Sequence, residues 1–149
     1  MNTYGEAILQ SVEFAKAMKQ PHHYKTSLAD HMVYVALRAL YYCDRLEKRG
    51  IQVDIKSVAI GALGHDLGMV GHEEKYHNNV QCCHRHPIDS VIIVSRLIPD
   101  IDEKTKRVIR RHMWPLSIHP PGSWEEWCVI KADKYVSVHE VLAKGQKRN

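Results

Sequence analysis

Apolar residues in this chain recur at intervals of three and four, and nowhere convincingly at two, which commits it to helices. The clearest case runs from Ser27 to Gly50. There His31, Val35, Ala39, Tyr42 and Leu46 step by four, four, three and four, so one face of a long helix points inward. Thr3-x-x-Glu6 reads as a capping box opening an earlier helix through Ile8, Val12, Ala15 and Met18, which stops at Pro21. Asp54 caps a third helix through Val58, Ala62 and His65, fading at Gly68 and Gly71. Pro87 suits the first turn of a fourth, through Val91, Val94 and Leu97 to the break at Pro99. Asp100 or Asp102 caps a fifth through Val108 to His112, stopped by Trp114-Pro115. Ser123-x-x-Glu126 opens a last helix through Ala132 and Val136 to about Ala143. Tyr135 to His139 does alternate, but inside that helical run. The expectation is an all-α bundle of about six helices. A polar stretch from Gly68 to Arg85 reads as a long loop, of the kind that often forms a lid.

With 149 residues and no repeat or linker, residues 1–149 read as a single domain. Hydrophobic residues at 44% and charged residues at 26% exclude a disordered or fibrous chain. A net charge of +4 is too small to argue for a nucleic-acid polymer as partner, and the basic run Lys144 to Arg148 reads as a frayed end. No apolar run approaches the roughly 20 residues that span a bilayer, and the first residues have no apolar signal core. Cys43, Cys82, Cys83 and Cys128 form no C-x-x-C pair. Reduced thiols and a cytoplasmic location, without membrane contact, are therefore expected.

The anomaly is 11 histidines in a chain with one phenylalanine. His31, the pair His65-Asp66, His112 and Asp133 each sit on, or end, an inward helical face. Any one of them alone reads as a hydrogen-bonded core residue, since a buried polar group needs a partner. Recurrence on successive helices changes that reading, because bundles build metal sites from side chains on facing helices. Imidazole with carboxylate suits Mn, Fe, Co, Ni or Zn better than Ca or Mg.

His31, then Ala62-Leu63-Gly64-His65-Asp66-Leu67-Gly68, then Lys131-Ala132-Asp133-Lys134, resembles the H…HD…D motif of the HD-domain superfamily of metal-dependent phosphohydrolases. The resemblance runs from about Ser27 to Glu140. It implies a helical core whose His31, His65, Asp66 and Asp133 hold a catalytic divalent metal. His86, before Pro87, and His112 stand where subfamilies with two metals carry further histidine ligands, namely the HD-GYP cyclic-dinucleotide phosphodiesterases and the mixed-valent di-iron oxygenases. By that resemblance a second ion would take His86 and His112, with Asp66 bridging. His84 is the rival for His86, which is favoured for its place at the opening of a helix.

The resemblance also sets limits. HD-GYP proteins carry Lys after H-D-I-G, a paired His-His and a Gly-Tyr-Pro triplet; this chain has Met69, Arg111-His112 and no such triplet, against cyclic di-GMP as substrate. The chain is much shorter than the deoxynucleotide and guanosine-tetraphosphate hydrolases of the superfamily. The resemblance then implies hydrolysis of a small phosphorylated, nucleotide-like substrate by water activated on one or two transition-metal ions, with Asp66 and His65 at its centre. Iron in both sites would instead suit an oxygenase cleaving a C–H, C–C or C–P bond, and a non-catalytic sensor module is a third reading. Arg110, Arg111, Lys131 and Lys134 lie close in sequence to proposed ligands and are candidates to meet substrate. Lys75, with His72 and His77, could reach it from the long loop. His22-His23 read as a solvated turn, and His119 and His139 have no place in the motif.

Overall fold

The computed structural model describes residues 2–23 and 26–147, with eight α-helices, one 3-10 turn and a two-stranded hairpin among them. The helices are α1 (Asn2–Leu9), α2 (Val12–Lys19), α3 (Leu28–Glu47), α4 (Ile55–Gly64), α5 (His72–Lys75), α6 (Asn79–Leu97), α7 (Glu103–Arg110) and α8 (Trp124–Lys147). Strands β1 (Pro21–His23) and β2 (Thr26–Ser27) pair antiparallel, and Leu67–Met69 forms the 3-10 turn. The all-α expectation holds; the number of helices does not. No helix among the described residues is long and apolar enough to cross a membrane.

Helix α4 is the axis of the bundle. Every residue from Ser57 to Gly64 is buried, as expected of a helix that is apolar all round and packed on all sides. Asp54 caps it by accepting from the Ser57 amide at 3.1 Å. Gly61 lets α7 approach: a Cβ there would lie 2.4 Å from Val108 Cγ1. Around α4 pack α1, α3, α6, α7 and α8, giving two apolar clusters to which α3, α4 and α7 each contribute.

Helix α3 starts in a complete capping box. The Asp30 amide donates to Ser27 Oγ at 3.0 Å and the Ser27 amide to Asp30 Oδ2 at 3.1 Å. His31, Val35 and Ala39 are buried as their spacing predicts, while Tyr42 and Leu46 are half-buried where the helix runs outward. Asp102, rather than Asp100, caps α7 through the Thr105 amide at 2.9 Å. The Ser123 side chain accepts from the Glu126 amide at 3.2 Å, opening α8 as predicted. That helix runs to Lys147 rather than Ala143, so the basic run continues the helix as far as it is described.

Two expectations fail. The first helix is two helices, because Ser11 both ends α1, donating from Oγ to the Ile8 carbonyl at 2.6 Å, and caps α2, accepting from the Phe14 amide at 3.1 Å. The break resets the helical phase: Phe14 and Ala17 are buried while Val12 and Met18 are exposed. Thr3 lies within α1 rather than ahead of it, and its side chain falls outside the described part. The second failure is the long loop from Gly68 to Arg85. Asn78 caps α6 by accepting from the Gln81 amide at 2.8 Å, so the helix opens eight residues before Pro87 and carries that proline inside it. The missing Pro87 N–H removes one ladder bond in a helix long enough to tolerate it.

Candidate metal centre

Four imidazoles and two carboxylates converge where α3, α4, α6, α7 and α8 meet. His31 comes from the first turn of α3, His65 and Asp66 from the C-terminal end of α4, His86 from the middle of α6, and His112 from just beyond α7; Asp133 comes from mid-α8. All six are buried, the most exposed being Asp133 at 8%. Gly68 makes the convergence possible, since a Cβ there would lie 2.3 Å from the His86 carbonyl oxygen. Its amide instead donates to Ser90 Oγ at 2.8 Å, drawing α6 against the His65-Asp66 turn.

The imidazoles are oriented by their outer nitrogens. Nδ1–H donates to the Ala62 carbonyl in His65 (2.6 Å), to the Cys82 carbonyl in His86 (2.7 Å) and to the Ile109 carbonyl in His112 (2.7 Å). A carbonyl can only accept, so the proton is fixed on Nδ1 and Nε2 faces the centre with its lone pair. In His31 the acceptor is a carboxylate: Nδ1 lies 3.1 Å from Glu140 Oε1 and 3.3 Å from Oε2.

The inward nitrogens divide between the two oxygens of Asp66. Oδ2 lies 3.5 Å from His31 Nε2 and 3.2 Å from His65 Nε2. Asp133 Oδ1 completes this group, 2.9 Å from His31 Nε2 and 3.5 Å from His65 Nε2. Oδ1 of Asp66 lies 3.1 Å from His86 Nε2 and 3.3 Å from His112 Nε2. The two sets, His31, His65, Asp66 and Asp133 on one side and Asp66, His86 and His112 on the other, each gather ligand atoms within 4.8 Å of one another.

This donor set fits a cation. His65 Nε2 is buried and makes no hydrogen bond among the described residues. His86 Nε2 and His112 Nε2 face each other at 3.1 Å with both outer protons already committed, so neutral rings would oppose two lone pairs. Only a shared proton or a metal ion resolves that contact. The electrostatics agree. Burial would raise both acids, yet the surrounding imidazoles hold Asp66 and Asp133 well below the usual carboxylate range. Burial likewise opposes charge on His31, but its bonds to Asp133 and Glu140 outweigh this and push it up to about 9. His65 is raised by the Asp66 charge against its burial, whereas burial and the nearby positive rings lower His112.

A family model described as HD domain matches residues 28–137. The chain belongs to the HD-domain family. No curated protein and no solved structure matches it. HD domains are largely metal-dependent phosphohydrolases, and His65-Asp66 is the dipeptide that names the fold here.

Of the rival histidines, His86 faces the HD centre and His84 is exposed on the other side of α6. Of the candidate cations Lys75, Arg111, Lys131 and Lys134, it is Lys134 that touches the cluster: its Nζ lies 3.7 Å from Asp133 Oδ2 and donates to the His112 carbonyl at 3.3 Å. Arg111 is held instead by the buried Glu126, 3.4 Å away, and Lys131 lies over the Tyr42 ring at 4.6 Å. Lys75 donates to the Gly68 carbonyl at 2.8 Å, pinning α5 beside the HD turn, while His72 accepts from the Gln20 amide group at 3.1 Å and His77 is exposed. Two residues escaped sequence reasoning. Glu140 had a usable signal, since it stands seven residues after Asp133, two turns along the same face of α8. His22 had none: it is not a solvated turn residue but sits in β1 with its ring 4.4 Å from His31, grouped with Glu140.

Proposed function

We propose that this HD domain hydrolyses a small phosphorylated, nucleotide-like substrate at a binuclear centre. The observation that carries the reading is Asp66, whose two oxygens face two separate sets of imidazole nitrogens. One ion would be held by His31, His65, Asp66 and Asp133, the other by His86 and His112 with Asp66 shared. When bound, such ions supply Lewis acidity towards water and a phosphoryl oxygen at neutral pH. The chain's own part is to fix the ligands and to admit the phosphate. The carbonyls of Ala62, Cys82 and Ile109 hold three rings so that no reorientation is needed on binding. Lys134, anchored on the His112 carbonyl, would be the cation that meets a phosphate oxygen. Burial of the acids excludes bulk water and strengthens every charge interaction inside.

The test is turnover by metal-loaded protein on a panel of nucleotides and phosphomonoesters, in parallel with His65→Ala. Release of phosphate by the wild type and its loss in the variant supports the reading; no turnover on the panel with Mn, Fe, Co, Ni or Zn contradicts it. Four imidazoles to two carboxylates also suit di-iron, so a second reading is an oxygenase. Dioxygen consumption by the iron-loaded protein, with no phosphate release, would select it.

A further inference from the structure

A second concave site lies away from the metal centre, between the C-terminal half of α3 and the N-terminal half of α8. Its volume is about 250 Å³ and its walls include Tyr42, Trp124 and Trp127, with Arg45, Arg49 and Lys131 around them. Tyr42 stands eleven residues after His31 on the same helix, about 16 Å along the axis. None of the metal ligands lines it.

Two features set this groove apart. Trp124 and Trp127 are 51% and 47% exposed, so two indoles stand half in water on adjacent turns of α8. Three cations share the groove with no carboxylate in its lining. The neighbouring acids are committed elsewhere: Asp44 to Lys48 at 3.0 Å, Glu125 to Lys104 at 3.5 Å, and Glu126 to Arg111 at 3.4 Å. Two of the cations, Lys131 and Arg45, rest on aromatic groups instead. Lys131 Nζ lies 4.6 Å from the Tyr42 ring centre, and Arg45 donates to the Tyr41 hydroxyl at 3.4 Å. Pairing with rings leaves the positive charge uncancelled.

We propose that this groove binds an aromatic anion of nucleoside-monophosphate size, its ring on the indoles and its phosphate on Arg45, Arg49 and Lys131. A flat ring gains by stacking on an aromatic side chain, and a guanidinium recognises phosphate through paired N–H donors. Neither element alone explains the groove. A neutral aromatic ligand would leave three cations unmatched, and a bare phosphate would leave the indoles wet.

The test is calorimetric titration of chelator-treated full-length protein with AMP, adenosine and inorganic phosphate. The expected result is saturable AMP binding at least about tenfold tighter than either fragment. Arg49→Ala with Lys131→Ala, both at exposed positions, should weaken AMP by about tenfold or more. His65→Ala should bind AMP as the wild type does. Absence of saturable binding, equal binding of adenosine, no effect of the double variant, or loss of binding in His65→Ala would each overturn the proposal. Because the protein is metal-free, the outcome is independent of whether the HD centre is a hydrolase.

Discussion

The two halves of the metal centre share Asp66 and little else. The half built on α3 and α8 adds a second carboxylate, Asp133, and a third behind it, Glu140 on the far nitrogen of His31. The half built on α6 and α7 has two imidazoles and one oxygen of Asp66, each ring anchored on a neutral backbone carbonyl. The first is acid-rich, and its carboxylates raise His31 and His65 against their burial. The second keeps His112 neutral. What this teaches is an order of loading: the acid-rich half should take the first ion and retain it, and the imidazole half should take the second and exchange it.

The largest effect should follow from removing the shared residue. Asp66→Asn, which preserves shape, should lose both ions and on the order of 10³-fold or more in turnover, the scale seen when an essential member of a catalytic unit is removed. Elemental analysis beside the kinetics checks it, with circular dichroism to verify the fold. Gly68→Ala should act on one half only. The added Cβ meets the His86 carbonyl and Ser90, which must push α6 from the HD turn at a cost of about 1–3 kcal/mol, lowering thermal stability and the second ion's occupancy while the first is kept.

Smaller again is Glu140→Gln, which keeps a hydrogen-bond acceptor for His31 but removes its charge. Metal affinity of the acid-rich half should fall about 10–100-fold, the usual cost of losing such a partner, with the His86 and His112 half unaffected. Competition with a chelator resolves the two affinities, and equal loss at both would break the comparison. A further effect is in pH. His31 is raised when folded, so its contribution to the metal-free protein is complete below about 6.5 and is lost as pH rises through about 9. Denaturation of the chelated protein should show stability falling across that window, and His31→Gln should flatten it.

How much of this could be read beforehand depended on whether a signal was local. Caps are local, so Ser27, Asp54, Asp102 and Ser123 each mark the start of a helix. Five of the six candidates lie on, or end, those same helices, and His86 comes from α6. Ser11 hid its break because Ile8 and Val12 continue a helical spacing across it, and only burial of Phe14 shows the change of phase. The first two turns of α6 carry one buried residue, Cys82, among polar ones, too little to mark a face. Arg111 and Lys131 illustrate another limit. Closeness in sequence to a ligand says nothing about which way a long side chain turns, and here Glu126 and Tyr42 claim them.

The most direct test is the number of ions per chain in protein purified without oxygen or chelator, measured for the wild type and for His112→Ala. Two ions in the wild type and one retained in the variant are expected, the survivor belonging to the acid-rich half. A wild type that never exceeds one ion, or a variant that still holds two, would contradict the binuclear centre on which the proposed function rests.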